Sequence, residues 1–143
     1  MSDKRTKIIV DIGMIILLVL SFIRWDGLGG ALYHFAVGSL CAALFAVHIF
    51  LHWKWLRAAT KSCLSRTLSK PLRGKYTVDV LLLAVWLVAI VTGFAAVAPF
   101  LGNAEAVSAA GRLHGVTSRI GLALIAVHIV QHIPQIKSYA KLR

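Results

Sequence analysis

Six histidines fall in two stretches of this chain, and a single shift of 80 residues maps one stretch onto the other: His34 onto His114, His48 onto His128 and His52 onto His132. Their neighbours repeat with them, Ala46-Val47-His48-Ile49 returning as Ala126-Val127-His128-Ile129. Imidazole binds transition metals and, because it titrates near neutrality, also carries protons. The spacing selects among these chemistries. His34 and His48 lie 14 residues apart, as do His114 and His128, which is about 21 Å along a helix axis and too far for one ion. Fourteen residues is also four turns at the 3.5-residue period of left-handed helix pairs. Both rings of one helix therefore point into the same seam at two depths. A parallel helix with the same spacing completes two stacked imidazole pairs, His34 with His114 and His48 with His128. Each pair can fill both axial positions of a haem iron. With no position open for oxygen, the chemistry is electron transfer. His52 and His132 lie one turn, about 6 Å, further along, too close to the inner pair for a third haem. Eighteen residues make five turns of a straight helix, so these two are the alternative inner ligands.

Composition places the helices that carry these rings in a membrane. Of 143 residues, 59% are hydrophobic and the mean hydropathy is +0.80, against about 45–50% apolar in an ordinary soluble domain. Intrinsic disorder is excluded by the same composition. The apolar residues form four blocks, at about 7–24, 31–53, 77–98 and 112–133, each close to the ~20 residues that span ~30 Å of hydrocarbon. Little is left for a catalytic domain, and one membrane domain over 1–143 is expected. The first block follows a basic start as a signal peptide would, but no small-residue cleavage site follows, so it is read as an uncleaved helix. Pro99 and Pro134 are expected to end helices three and four. Lys7-x-x-Val10-Asp11 recurs as Lys75-x-x-Val78-Asp79, at an offset of 68. The expected fold is all-α: a four-transmembrane-helix bundle built from one helical hairpin used twice.

The chain has 16 Lys+Arg and 5 Asp+Glu, a net charge of +11. In a soluble protein that would suggest nucleic acid; here its placement speaks for topology, and nucleic acid is not an expected partner. Lys4, Arg5 and Lys7 precede the first block, seven cations fill segment 54–76, and Lys137, Lys141 and Arg143 follow the fourth. Only Arg24, Arg112 and Arg119 lie elsewhere. With an even number of crossings, the positive-inside rule puts both termini and the basic loop 54–76 in the cytoplasm. Trp25 and Tyr33 then mark the outer boundary, and Trp53, Trp55, Tyr76 and Tyr139 the inner one.

The doubled spacing resembles that of the cytochromes b of respiratory membranes, where two parallel helices each carry two histidines at this separation. More closely, the chain resembles the small four-helix prokaryotic membrane cytochromes known as flavinylation-associated cytochromes. The likeness rests on Asp11 and Asp79 near the starts of helices one and three, Thr92-Gly93 late in helix three, and His48-x-x-x-His52-Trp53-x-Trp55. It implies two haem b groups, a multi-pass protein of the prokaryotic inner membrane, and a position 52 that varies within the family, which favours His48 as the ligand. No C-x-x-C-H occurs for covalent haem, and Cys41 and Cys63 form no disulfide framework. No flavin, iron–sulfur or molybdopterin motif is present. The chain is therefore expected to be the membrane electron-transfer subunit of a quinone-linked oxidoreductase, passing electrons between a quinone pool and a redox partner subunit.

The remaining polar residues fit around this frame. Arg24, Arg112 and Arg119 are candidate partners for haem propionates. Burying Arg119 alone would cost about 2.5–3.5 kcal/mol on the insertion scale, and snorkelling to the interface is its other reading. Gly38 and Gly121 could let a porphyrin face approach the backbone, or serve helix contacts. Asp11 and Asp79 lie in the first turns of their helices, where the dipole favours a carboxylate; the alternative is proton delivery to a bound quinone at an inner site with His52 and His132. A rival class is a transporter or metal-binding membrane protein, with zinc or copper held by His48/His52 and by His128/His132. That reading leaves His34 and His114 unexplained. It also asks for cysteine or carboxylate co-ligands at the same depth, and none is found. A structural anchor explains no histidine. Reporter fusions at Arg143 should report a cytoplasmic C-terminus, and an impermeant thiol reagent should reach Cys63 only from the cytoplasmic side; labelling from the periplasm would contradict this topology.

Overall fold

Long apolar stretches, flanked by basic residues on one side, produce four helices among the described residues. The computed structural model describes residues 3–23, 30–67, 69–97 and 104–140. They form α1 (Asp3–Phe22), α2 (Gly30–Leu64), α3 (Lys70–Val97) and α4 (Ala104–Ala140). The chain divides into two compact units, Met1–Arg57 and Ala58–Arg143. The first holds α1 and most of α2, and the second the end of α2 with α3 and α4.

Among the described residues three helices are long and apolar enough to cross a membrane: Gly30–Leu64, Lys70–Val97 and Val107–Lys137 within α4. The surface agrees with a lipid environment. Large apolar side chains are exposed on every helix, Phe50 at 79%, Leu32 at 71% and Val130 at 65% among them, where a water-soluble domain would bury many of them. Among the described residues the buried positions are few and mostly small: Val10 and Cys41 in the first unit, Ala59, Leu82 and Ala89 in the second, and Gly121 there as well. Between membrane helices the hydrophobic effect offers little drive, and small residues let backbones approach closely enough for dispersion and hydrogen bonds to act.

Helix boundaries differ from the sequence expectation at the basic end. Segment 54–76 is not a loop; α2 runs on to Leu64 and α3 begins at Lys70. Leu56, Ala59, Thr60 and Cys63 recur at helical spacing and turn inward, while Lys54, Arg57 and Lys61 are exposed. This amphipathic extension is tied to α3 by the Tyr76 hydroxyl, which donates to Thr60 Oγ1 at 3.1 Å. Its end is capped by backbone bonds from Arg66 N to Cys63 O and from Thr67 N to Ser62 O. Arg66 takes the left-handed φ of 57° that such a cap requires and glycine usually supplies. Pro71 falls in the first turn of α3, where a missing N–H is harmless.

Pro134 does not end α4, which continues to Ala140. Pro removes the bond to Val130 O, at a cost of roughly 3 kcal/mol, but helical residues follow it and membrane helices re-satisfy such groups from side chains, water or local adjustments. The extended boundaries also move two carboxylates. Asp11 is the ninth residue of α1 and Asp79 the tenth of α3, so neither lies in a first turn. The helix-dipole reading of these residues is corrected, because that effect fades beyond the terminal turn.

Candidate functional site

Each hairpin carries three histidines on its second helix, and the first helix supplies acceptors for two of them. In the unit Met1–Arg57, His34 Nδ1 donates to Ser21 O at 2.8 Å and His48 Nδ1 donates to Asp11 Oδ1 at 2.7 Å. In the unit Ala58–Arg143, His114 Nδ1 donates to Ala89 O at 2.8 Å and His128 Nδ1 donates to Asp79 Oδ1 at 2.6 Å. The donors repeat at the 80-residue offset and the acceptors at 68. The duplication seen in the sequence therefore extends to four hydrogen bonds, a backbone carbonyl in one layer and a carboxylate in the other.

These partners fix the chemistry of the rings. A carbonyl or carboxylate oxygen can only accept, so Nδ1 carries the proton and the lone pair of the neutral ring sits on Nε2. A ring held at Nδ1 in this way has the tautomer and orientation of a metal-ligating histidine. Such bonds also keep a polar ring satisfied in apolar surroundings, and the duplication carries them into both hairpins.

His52 and His132 stack one turn beyond the carboxylate-bound rings. The centroids of His48 and His52 are 4.6 Å apart, and those of His128 and His132 are 4.5 Å apart. His132 Nδ1 lies 2.8 Å from Gln135 Oε1, and its Nε2 lies 3.6 Å from Asp79 Oδ2. Ligand atoms of Asp11, His48 and His52 fall within 4.8 Å of one another, as do those of Asp79, His128 and His132. The two aspartates are thus the carboxylates that the sequence reading finds missing beside the paired histidines, and that objection to a divalent-metal site is withdrawn.

The Thr92-Gly93 pair acquires a physical role. A Cβ added at Gly93 would lie 2.9 Å from His114 Nδ1, so the absent side chain is what seats the ring over α3. The Thr92 hydroxyl turns back onto Val88 O at 2.7 Å and Ala89 O at 3.2 Å. Ala89 itself is only 2% exposed, and its carbonyl serves both His114 and Thr92. Gly121 faces α3, where an added Cβ would meet Trp86 Nε1 at 3.4 Å and Val85 Cγ1 at 3.6 Å; its small size serves helix packing. At Gly38 an added Cβ would meet nothing within 4 Å. Arg112 donates from Nη1 to Ser108 Oγ at 2.8 Å, and Arg119 is exposed. Arg24 lies outside the described residues.

Sequence reasoning finds the six histidines and two aspartates but misses their pairing. It also misses the carbonyls of Ser21 and Ala89, which no side-chain pattern marks. The one signal available is the equivalence of positions 21 and 89 under the 68-residue offset. Comparison with protein families, curated proteins and solved structures finds no match to this chain.

Gly93→Ala should push the His114 ring away from Ala89 and lower stability by about 1–3 kcal/mol, the range for overpacking a tight site. Thermal unfolding in detergent and the ¹⁵N shift of His114 Nδ1 would read both effects. Gly38→Ala is the control, expected to leave thermal stability unchanged or raised.

Proposed function

We propose that this chain is a b-type membrane cytochrome that takes up and passes on single electrons through two bis-histidine haem sites, one using His34 and His114 and the other His48 and His128. The observation that carries the reading is the uniform engagement of Nδ1 in these four rings, which gives each the tautomer whose Nε2 binds iron. The 14-residue spacing within each helix supports two layers, because rings ~21 Å apart along the axis serve separate irons. Haem, when bound, supplies a one-electron couple whose potential the ligands tune.

The chain's own residues have distinct tasks in this scheme. Ser21 and Ala89 orient His34 and His114 through their backbone carbonyls, and Asp11 and Asp79 orient His48 and His128. Gly93 keeps room for the His114 ring. Arg112, Arg24 and, by snorkelling from mid-helix, Arg119 supply cations for propionates on the side away from the basic segments. His52 and His132 buttress the carboxylate-bound rings, and beside them lies the proposed region for quinone exchange. The positive charge of the helix ends faces the cytoplasm in this reading, with lipid around the helices and a redox partner subunit completing the electron path.

A second reading is favoured by one observation, the two clusters Asp11/His48/His52 and Asp79/His128/His132. Two histidines and a carboxylate are a donor set for zinc or another divalent ion. The short Nδ1–carboxylate contacts of 2.7 and 2.6 Å favour the first reading, since a shared proton accounts for them.

Purified protein should yield about two haem b per chain in a pyridine haemochrome assay and a low-spin bis-imidazole spectrum on reduction. His34→Ala or His114→Ala should remove one haem, and His48→Ala or His128→Ala the other. Colourless protein carrying stoichiometric divalent metal would overturn the cytochrome and favour the clusters. Retention of both haems in His48→Ala and His128→Ala, with loss in His52→Ala and His132→Ala, would transfer the inner ligation to the latter pair.

A further inference from the structure

The two layers of histidines differ in what holds them. His34 and His114 donate to backbone carbonyls, which are neutral dipoles. His48 and His128 donate to carboxylates, at 2.7 and 2.6 Å. Both members of one proposed pair thus have an anionic partner, and neither member of the other does. An imidazole hydrogen-bonded to a carboxylate is a more basic ligand than one bonded to an amide oxygen. Greater donation stabilises ferric iron, which bears the extra positive charge, and the carboxylate charge close behind the ring acts in the same direction.

Resting on the cytochrome reading above, we infer that Asp11 and Asp79 are tuning residues that make the His48/His128 site the lower-potential of the two, so that the first electron entering the protein settles at the His34/His114 site. A haem held at either site would take up one electron from a reductant, a quinol in this reading, with no bond made or broken. Cations do not reverse the order. Lys54, Arg57 and Lys137 are exposed and screened by salt; Lys7 and Lys75, half-buried one turn before Asp11 and Asp79 on the same helices, offset part of the carboxylate charge, but only the carboxylates touch the rings. Arg112 and Arg119 lie two residues before and five after His114 in sequence, and positive charge there favours the reduced form of the other site. The contributions of the two aspartates are unequal: the Asp79 side chain is 12% exposed and that of Asp11 42%, and a charge shielded from water acts more strongly.

The test is a potentiometric titration of the purified full chain, reduced stepwise with dithionite and mediators and followed by absorbance, after a pyridine haemochrome count. Two one-electron waves are expected, separated by at least tenfold in reduction equilibrium, which is 59 mV for one electron. His34→Ala should leave only the lower wave and His48→Ala only the upper. Asp79→Asn should raise the lower wave at least tenfold and leave the upper in place, with Asp11→Asn acting in the same direction but less. A single unsplit wave, survival of the upper wave in His34→Ala, or haem-replete aspartate variants with an unmoved lower wave would each overturn the inference while leaving the cytochrome intact. If an aspartate variant loses haem, the waves left by His34→Ala and His48→Ala decide the order alone. A haem count of zero in the unmodified protein overturns the cytochrome reading, and this one with it.

Discussion

An imidazole N–H placed inside hydrocarbon must find an acceptor, because leaving such a group unpaired costs roughly 2–7 kcal/mol in surroundings that offer no water. Each of α2 and α4 brings three histidines into an apolar helix whose own carbonyls are already engaged. The preceding helix supplies what is missing: Ser21 and Asp11 on α1, Ala89 and Asp79 on α3. Because both acceptors lie on one antiparallel neighbour, they also set the register of each hairpin. A slip of one residue would carry Asp11 or Asp79 off the histidine seam. Each helical hairpin thus pairs the Nδ1 of two of its three rings from its own first helix, and it is this hairpin that the chain repeats.

Close approach follows from the same requirement. Side-chain-to-carbonyl bonds across two helices need backbones nearer than large side chains permit, and small residues stand at the points of contact. The Cys41 thiol reaches toward Met14 O at 3.9 Å, Gly13 leaves room for Leu44, and Gly121 packs on Trp86 and Val85. Cys41 and Gly121 are equivalent under the 80-residue offset, so the repeat keeps a small residue there while changing its chemistry.

Helix number and approximate position were legible from hydropathy, because α1 to α4 each coincide with an apolar block. The ends were not. Basic residues between Lys54 and Lys75 hide a helical stripe of Leu56, Ala59, Thr60 and Cys63, and charge alone says nothing about backbone conformation. Pro134 misled for a related reason: one lost hydrogen bond is a local cost, and the residues beyond it still favour helix. Spacing marked the histidines of the candidate site, since a doubled 14-residue interval is hard to produce by packing alone. Their partners were hidden, because a backbone carbonyl has no letter in the sequence and because Asp11 and Asp79 read as terminal residues until the true starts of α1 and α3 were known.

The difference between carbonyl and carboxylate acceptors has a consequence for how this protein can vary over generations. Every amino acid carries a backbone carbonyl, so the bonds to positions 21 and 89 pass unchanged through substitutions of similar size; the repeat itself holds serine at one and alanine at the other. Drift there is silent, and that layer can be altered only by shifting a helix or by filling the space at Gly93. Positions 11 and 79 are different, because a single codon change can remove the anion while leaving a residue of nearly the same shape. In each hairpin the carbonyl bond is buffered against mutation, and the carboxylate bond is open to change by a single substitution.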